Sequence, residues 1–186
     1  MKRILLLLFA LPLFAGCQPA MVKQSVDSKL GGSSPDDQIE FWHTLNDQPI
    51  TSNDDGMHGL LLYFDNQDTQ ADYSGRVTQM KKDGLLPSDF HAPANEALQR
   101  GIMAYALVKG LHIKGGWVML VFGPSPRYAL RELEFRGLFP HSSPQQPLSG
   151  AEFVGIIGRI QDYQTGESGN IPATELPSNS PSANSQ

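Results

Sequence analysis

The chain has 186 residues, of which 40% are hydrophobic and 18% charged, and it carries a formal charge of −5. Its length suits one domain with tails. The acidic balance argues against a general nucleic-acid-binding protein, because such proteins carry clustered Lys and Arg. The single cysteine excludes an intramolecular disulfide and any zinc site built from several cysteines.

The first 17 residues have the pattern of an export signal. Lys2 and Arg3 precede an apolar run over 4–16, which is too short to span a bilayer as a helix. The run ends in Leu13-Phe14-Ala15-Gly16-Cys17, which resembles the lipobox of bacterial lipoproteins. The resemblance implies that 1–16 is removed as a signal peptide and that Cys17 is acylated, with palmitate among the acyl chains. An ordinary cleaved signal with a cysteine near the junction is the alternative.

The same resemblance predicts a location in the cell envelope. Two or more acyl chains hold a protein stably on a membrane, and Gln18 after the cysteine favours the outer membrane over the inner one. Loss of Lys2 and Arg3 leaves 12 basic against 19 acidic side chains, a formal charge of −7. We therefore expect the lipid to supply the membrane attachment. The periplasmic and the surface face are both left open.

Composition divides the rest of the chain into one folded region and two tails. Residues 17–34 are polar and end in Gly31-Gly32-Ser33-Ser34, which predicts a flexible tether. Residues 166–186 are rich in Ser, Asn and Pro and are predicted to be disordered. The 131 residues of 35–165 suffice for one compact domain.

Apolar spacing and stop signals predict a mainly α domain built from three helix-loop-helix repeats. Lys82-Asp83-Gly84-Leu85-Leu86-Pro87 aligns with Phe135-Arg136-Gly137-Leu138-Phe139-Pro140, and in both a helix ends in Gly followed by two apolar residues and Pro. The predicted helices are 35–46, 53–65, 69–83, 97–111, 125–136 and 150–164.

The second helix of each predicted repeat shares one apolar template with offsets 0, 3, 4 and 7, which form one face of an α-helix. Asn53, Gln99 and Ser149 are the expected N-caps. The template positions are Met57, Leu60, Leu61 and Phe64; Met103, Ala106, Leu107 and Gly110; and Phe153, Ile156, Ile157 and Ile160.

This arrangement resembles the S-layer homology module, which forms a three-pronged helical prism and binds cell-wall polysaccharide in the grooves between its repeats. The family's Ile-Thr-Arg-Ala-Glu signature is kept in part: Leu98-Gln99-Arg100 retains the basic position and Leu148-Ser149-Gly150-Ala151-Glu152-Phe153 the acidic one. Ile50-Thr51 retains the opening pair. The resemblance implies that Arg100 and Glu152 contact a ligand.

One segment interrupts the repeats. Residues 115–123 form a continuous apolar run bounded by Gly and followed by Pro124, which predicts a short extended segment near 116–122. An isolated strand would leave backbone polar groups unsatisfied, so we expect this segment to pair or to lie along the core. Gly115-Gly116 and Arg127-Tyr128-Ala129 also resemble segments of uncharacterised bacterial envelope proteins.

The sequence offers weak candidates for metal chemistry and none for a cofactor. Asp54, Asp55 and His58 lie together at the start of a predicted helix, where acids are also favoured by the helix dipole. Asp65, Asp68 and Asp72 lack the spacing of a calcium loop. Motifs of nucleophilic, P-loop and dinucleotide-binding sites are absent from the sequence.

Basic and aromatic side chains supply the candidate ligand-binding residues. Arg127 and Arg131 follow Ser125 and Pro126, which mark the start of a helix. Either they line a basic groove for an acidic glycan, or they form a solvated face with internal ion pairs. Five aromatic side chains either stack on sugar rings or belong to the core, and Trp117 is taken as a candidate ligand residue. They are Trp42, Trp117, Tyr105, Tyr128 and Tyr163.

The sequence therefore predicts a non-enzymatic, lipid-anchored protein whose helical domain binds envelope glycan or docks on an envelope protein. A structural subunit of an envelope assembly is the first alternative, and large exposed apolar patches would favour it. A metal-dependent hydrolase that uses Asp54, Asp55 and His58 is the second.

Overall fold

The computed structural model describes residues 19–26 and 34–166. Seven α-helices and no β-strand occur in this part of the chain, which confirms the mainly α prediction. None of these helices is long and apolar enough to cross a membrane. Their bounds are α1 Pro35–Asn46, α2 Asn53–Asp65, α3 Tyr73–Lys82, α4 Arg100–Gly110, α5 Trp117–Phe122, α6 Pro126–Phe135 and α7 Gly150–Thr165.

The helices pack chiefly as three pairs: α2 with α3, α4 with α6, and α7 with α1. Each pair joins the second helix of one predicted repeat to the first helix of the next, and the last repeat closes on the first. The apolar template lies inside, since Met57, Met103 and Phe153 are all fully buried. Gly110 occupies the last template position of α4 because the ring of Phe64 leaves no room there for a Cβ atom.

The predicted stops at Gly84 and Gly137 are confirmed. Both glycines adopt a φ of 73°, which a residue with a Cβ atom reaches only with strain. The amide of Leu85 donates to the Met80 carbonyl at 2.8 Å, and the amide of Leu138 donates to the Leu133 carbonyl at 2.9 Å. These bonds satisfy carbonyl groups that the helix leaves without partners, so α3 and α6 end in the same motif.

The start of α2 at 53 is as predicted, whereas its N-cap and the starts of α3 and α4 differ from the prediction. Ser52 caps α2 by accepting from the amide of Asp55, and Asn53 is the first helical residue. Helix α3 begins at Tyr73 rather than at 69, because Asp72 supplies the cap. Helix α4 begins at Arg100 rather than at 97, because 97–99 form isolated bridges with neighbouring segments before the helix starts.

The residues that precede the caps of α2, α4 and α7 form a closed backbone ring. The amide of Thr51 donates to the Leu148 carbonyl at 2.8 Å, that of Leu98 to the Thr51 carbonyl at 2.9 Å, and that of Leu148 to the Leu98 carbonyl at 3.1 Å. All three residues are fully buried. The ring brings three helix N-termini to one place at the centre of the domain.

The extended segment predicted near 116–122 is wrong, because Trp117–Phe122 forms the helix α5. No strand lies among the described residues to pair with it, and a helix satisfies its backbone groups within the segment. Gly116 before it is extended, and Gly123 after it has a φ of 77°.

The flexible tether predicted for 17–34 is wrong for its described part, residues 19–26. The amide of Ala97 donates to the Ala20 carbonyl at 2.9 Å, and the amide of Val22 donates to the Asn95 carbonyl at 2.7 Å. Val26 is 3% exposed and belongs to the core. The predicted signal peptide, Cys17 and the tail after Gly166 lie outside the described residues.

Candidate functional site

Arg100 and Glu152 meet beside the backbone ring. Arg100 is the first residue of α4 and is 2% exposed. Its Nη2 donates to Glu152 Oε1. The amide of Ser149 donates to Glu152 Oε2 at 3.0 Å, and the amide of Glu152 donates to Ser149 Oγ at 3.2 Å, which completes a capping box. The pair therefore links the N-termini of α4 and α7.

Glu152 is held in its charged form by these contacts. Burial alone would raise its pKa, but the Ser149 amide and the Arg100 guanidinium outweigh burial and lower the pKa from its ordinary value. A cation is unfavourable at the N-terminus of a helix, and Arg100 at the start of α4 has Glu152 as its ion-pair partner. A direct contact of Arg100 with a ligand stays a prediction.

A groove of about 470 Å³ opens where the segment 87–97 faces the N-termini of α2 and α4. We call it the α2–α4 groove. Polar and apolar side chains alternate along it, and neither lysine nor arginine is among the described residues that line it. They are Asn53, Pro87, Asp89, Phe90, His91, Ala92, Pro93, Glu96, Ala97, Gln99, Ile102 and Pro126.

Backbone and side-chain hydrogen bonds fix one wall of this groove. Asn53 Nδ2 donates to the Pro93 carbonyl at 2.9 Å, and the amide of Asn53 donates to the Glu96 carbonyl at 2.8 Å. The hydroxyl of Tyr73 donates to the Ala92 carbonyl at 2.7 Å. A segment without helix or strand is therefore held in one shape.

Several polar groups of the groove wall are placed for a ligand. Gln99 caps α4 without a side-chain hydrogen bond to the helix, and His91 and Asp89 are exposed. Burial, followed by the negative charges of Asp54 and Glu96, raises the pKa of Tyr73 well above its ordinary value. The groove itself has an acidic character because Asp89 and Glu96 line it without a lysine or arginine among the described lining residues. None of these groove residues was predicted as a ligand residue from the sequence, where Pro87 appeared only as part of a helix stop.

The three weak metal candidates each have a protein partner. Asp54 pairs with Arg76 at 2.7 Å, and Asp55 accepts from Ser25 and Ser52, both at 2.7 Å. His58 Nδ1 lies 2.7 Å from Asp68 Oδ2. Within residues 19–26 and 34–166 no group of three His, Cys, Asp or Glu side chains is arranged to hold a metal ion.

Asp68 is the centre of this buried polar cluster. It accepts from Arg76 Nε and from the amide of Gln70, the latter at 2.9 Å. Burial would raise its pKa, but the hydrogen bonds with His58, Gln70 and Arg76 outweigh burial and lower the pKa. The cluster joins α2 to α3 and has the character of a structural network.

The remaining predicted ligand residues lie on an exposed surface. Arg127 and Arg131 are exposed on α6, and Trp117 is exposed on α5. Arg131 approaches Glu134 at 3.6 Å, which agrees with a solvated face that contains ion pairs. Trp42, by contrast, is half-buried and stacks on Phe153. The structure thus separates the exposed candidates from the interior pair of Arg100 and Glu152.

No protein-family model, curated protein or solved structure matches this chain. Its function is therefore argued from its residues and their geometry.

Proposed function

We propose that this chain is a lipid-anchored protein of the bacterial cell envelope whose helical domain binds a cell-wall or envelope glycan in the α2–α4 groove. The anchor is Cys17, acylated after removal of residues 1–16, and the outer membrane is the favoured location. The proposal is one of binding and assigns no catalytic step. The first alternative is a structural subunit of an envelope assembly, which a large exposed apolar patch favours.

The single observation that carries glycan binding is the position and lining of the groove. It lies between the segments that lead into α2 and α4, two of the three that meet in the backbone ring. In the S-layer homology modules that the sequence resembles, glycan binds in grooves between repeats. The ring and the cyclic pairing of the helices support three repeats in this chain.

The side chains that line the groove restrict the chemical class of glycan that it can bind. Amide and carboxylate side chains such as Gln99 and Asp89 exchange hydrogen bonds with sugar hydroxyls, and the nearby prolines give the groove apolar surface. Asp89 and Glu96 repel an acidic polymer. We therefore propose a neutral or amine-bearing glycan, rather than the acidic one expected for a basic groove.

Co-sedimentation of the acylated full chain with isolated cell wall tests the proposal. The double variant Asp89→Asn/Gln99→Ala should bind about tenfold more weakly, because it removes the negative charge of Asp89 and the amide of Gln99. Asp65→Asn/Gln67→Ala is the matched control, since both residues are exposed and lie outside the groove. Wild-type protein that stays in solution, or equal binding by all variants, would reject glycan binding in this groove.

Metabolic labelling tests the anchor separately. Cys17→Ala removes the thiol that would carry the diacylglyceryl group, so incorporation of a labelled fatty acid should fall to background. Labelling that survives the substitution would reject acylation at this residue, whatever the outcome of the wall-binding assay.

A further inference from the structure

Most of the exposed apolar surface is gathered on α5 and α6. Nine large hydrophobic side chains are exposed in the described part of the chain, and six of them fall between 117 and 135. We call this surface the α5–α6 face. Its apolar members, with their exposed fractions, are Trp117 (81%), Leu120 (75%), Val121 (63%), Phe122 (79%), Tyr128 (38%) and Phe135 (88%).

The face is held on the outside of the domain. Met119 turns inward and packs against the core, while Trp117 and Phe122 remain exposed. The amide of Gly116 donates to Glu132 Oε2 at 3.2 Å, and Arg136 Nη2 donates to the Lys114 carbonyl at 3.0 Å. Two bonds to α6 therefore fix the start of α5 as an apolar projection.

Helical spacing places cations within the same face. At 100° per residue, Arg127, Arg131 and Phe135 lie within about 80° of one another on α6. The opposite side of α6 is buried through Ala129 and Leu133. The exposed side of α6 thus carries basic and aromatic side chains together.

The charge of the face is opposite to that of the whole molecule. Lys114, Arg127 and Arg131 are exposed there. The acids of α6 are Glu132, which is paired with Arg136 at 2.8 Å, and the buried Glu134, which lies 3.6 Å from Arg131. Four basic against two acidic side chains leave this surface with a net positive charge. The chain as a whole has a formal charge of −5. A local cluster of cations beside apolar side chains is complementary to an anionic lipid surface, where each nearby cation is worth about 1 kcal/mol.

We propose that the α5–α6 face is a membrane-contact surface for an anionic phospholipid bilayer. Trp117, Leu120 and Phe122 enter the boundary between headgroups and acyl chains, where aromatic side chains are favoured. Arg127 and Arg131 bind headgroup phosphates. A six-residue helix is only about 9 Å long, so it lies in one leaflet and does not span the bilayer.

A second copy of the chain fits this face less well. Association about a two-fold axis would place the face against itself. Arg127 and Arg131 of one copy would then approach the same cations of the other, which costs free energy. Lipid headgroups present the charge opposite to that of these cations, and we therefore commit to the bilayer.

The anchored end of the chain begins near the groove that Pro126 of α6 also lines, a step that rests on the proposed acylation of Cys17. The Ala20 carbonyl is bonded to Ala97, and two residues, at most about 11 Å of extended chain, separate Ala20 from Cys17. Ala97 and Pro126 line one groove, and Pro126 begins α6. A short link of this kind keeps the domain close to the bilayer.

Tryptophan fluorescence of the acylated full chain in vesicles tests the proposal. Trp42→Phe leaves Trp117 as the reporter, and Trp117→Phe leaves the half-buried Trp42 as the matched control. In phosphatidylglycerol-containing vesicles with brominated acyl chains, emission from Trp117 should fall about twofold or more, because bromine quenches an indole at that depth. Emission from Trp42 should not change. Equal emission from Trp117 with and without bromine would overturn the proposal.

Charge reversal tests the role of the cations. Arg127→Glu/Arg131→Glu should remove most of the Trp117 quenching in anionic vesicles. Lys81→Glu/Lys82→Glu makes the same change in net charge in the last turn of α3, which does not pack on α5 or α6, and should retain the quenching. Loss of quenching in both double variants would contradict a local role for Arg127 and Arg131.

Two further results separate this proposal from its alternatives. If the wild-type chain forms dimers without lipid and its Phe122→Ser variant is monomeric, a second copy covers the face and the proposal is overturned. Failure of the acyl anchor appears as protein that does not float with vesicles. Failure of the α5–α6 face appears as protein that floats while its Trp117 stays unquenched.

Discussion

The sequence allows two explanations for the position of Arg100, and its contacts in the structure supply one of them. A cation in the first turn of a helix is unfavourable, so its presence required either an ion-pair partner or an anionic ligand. The partner is Glu152, which is 52 residues away in the sequence. No local pattern could identify it, because the contact depends on two helix N-termini meeting at the backbone ring.

Arg100→Ala should lower the free energy of unfolding by about 1–3 kcal/mol, because it removes a buried cation and leaves Glu152 without that partner. Arg127→Ala is the matched control and should change it by less than about 0.5 kcal/mol, since Arg127 is exposed. Urea unfolding measures both. If Arg100→Ala kept full stability but lost wall binding, the role of Arg100 would be in the ligand site.

The carboxylates of Glu152 and Asp68 make the stability of the folded protein depend on pH. The pKa of Glu152 is lowered in the folded protein, as is the pKa of Asp68. Each carboxylate contributes to the free energy of unfolding. This contribution is fully present above the pKa that the group has in the unfolded chain, and it is lost as the pH falls through the lower pKa that the group has in the folded protein. The urea midpoint should therefore fall below about pH 4.3, and Glu152→Gln should make that fall smaller. Glu40→Gln, at an exposed position, should leave the profile unchanged.

Local sequence patterns were sufficient to place the helices, except that 117–122 was predicted as an extended segment and is a helix. Gly84 and Gly137 could be placed because the stop motif needs only neighbouring residues. The run 117–122 could not, because a continuous apolar stretch has no period, and the choice between strand and helix depends on whether a partner strand exists. The α2–α4 groove could not be predicted either, because its walls come from distant parts of the sequence.

Two glycines give opposite expectations at this scale. Gly137→Ala meets open space, but the φ of 73° should cost about 1 kcal/mol. Gly155→Ala also meets open space, within the helix α7, and should stabilise the protein by about 0.5–1 kcal/mol through helix propensity. Thermal unfolding of the two variants beside wild type measures this difference. Destabilisation of equal size in both would show that the positive φ of Gly137 does not decide the outcome, since both positions meet open space.

For the whole molecule, the boundary of the folded unit lies further towards the N-terminus than composition indicated. Removal of 1–33 takes away Val26 and the Ser25 hydrogen bond to Asp55, and should lower the melting temperature by about 10 °C. Removal of 167–186 should change it by no more than about 2–4 °C. The two truncations compared by calorimetry decide between a domain that starts at 35 and one that starts near 19.

The pairing of α1 with α7 also sets the order of events during synthesis. Phe41 and Leu45 of α1 are buried in the finished domain, and the helix they pack on is the last one made. At 5–20 residues per second, the ribosome needs roughly 6–24 s to add the intervening chain of about 120 residues. During that interval the domain cannot close. For a chain exported as proposed, translocation that begins within this interval acts on an open polypeptide.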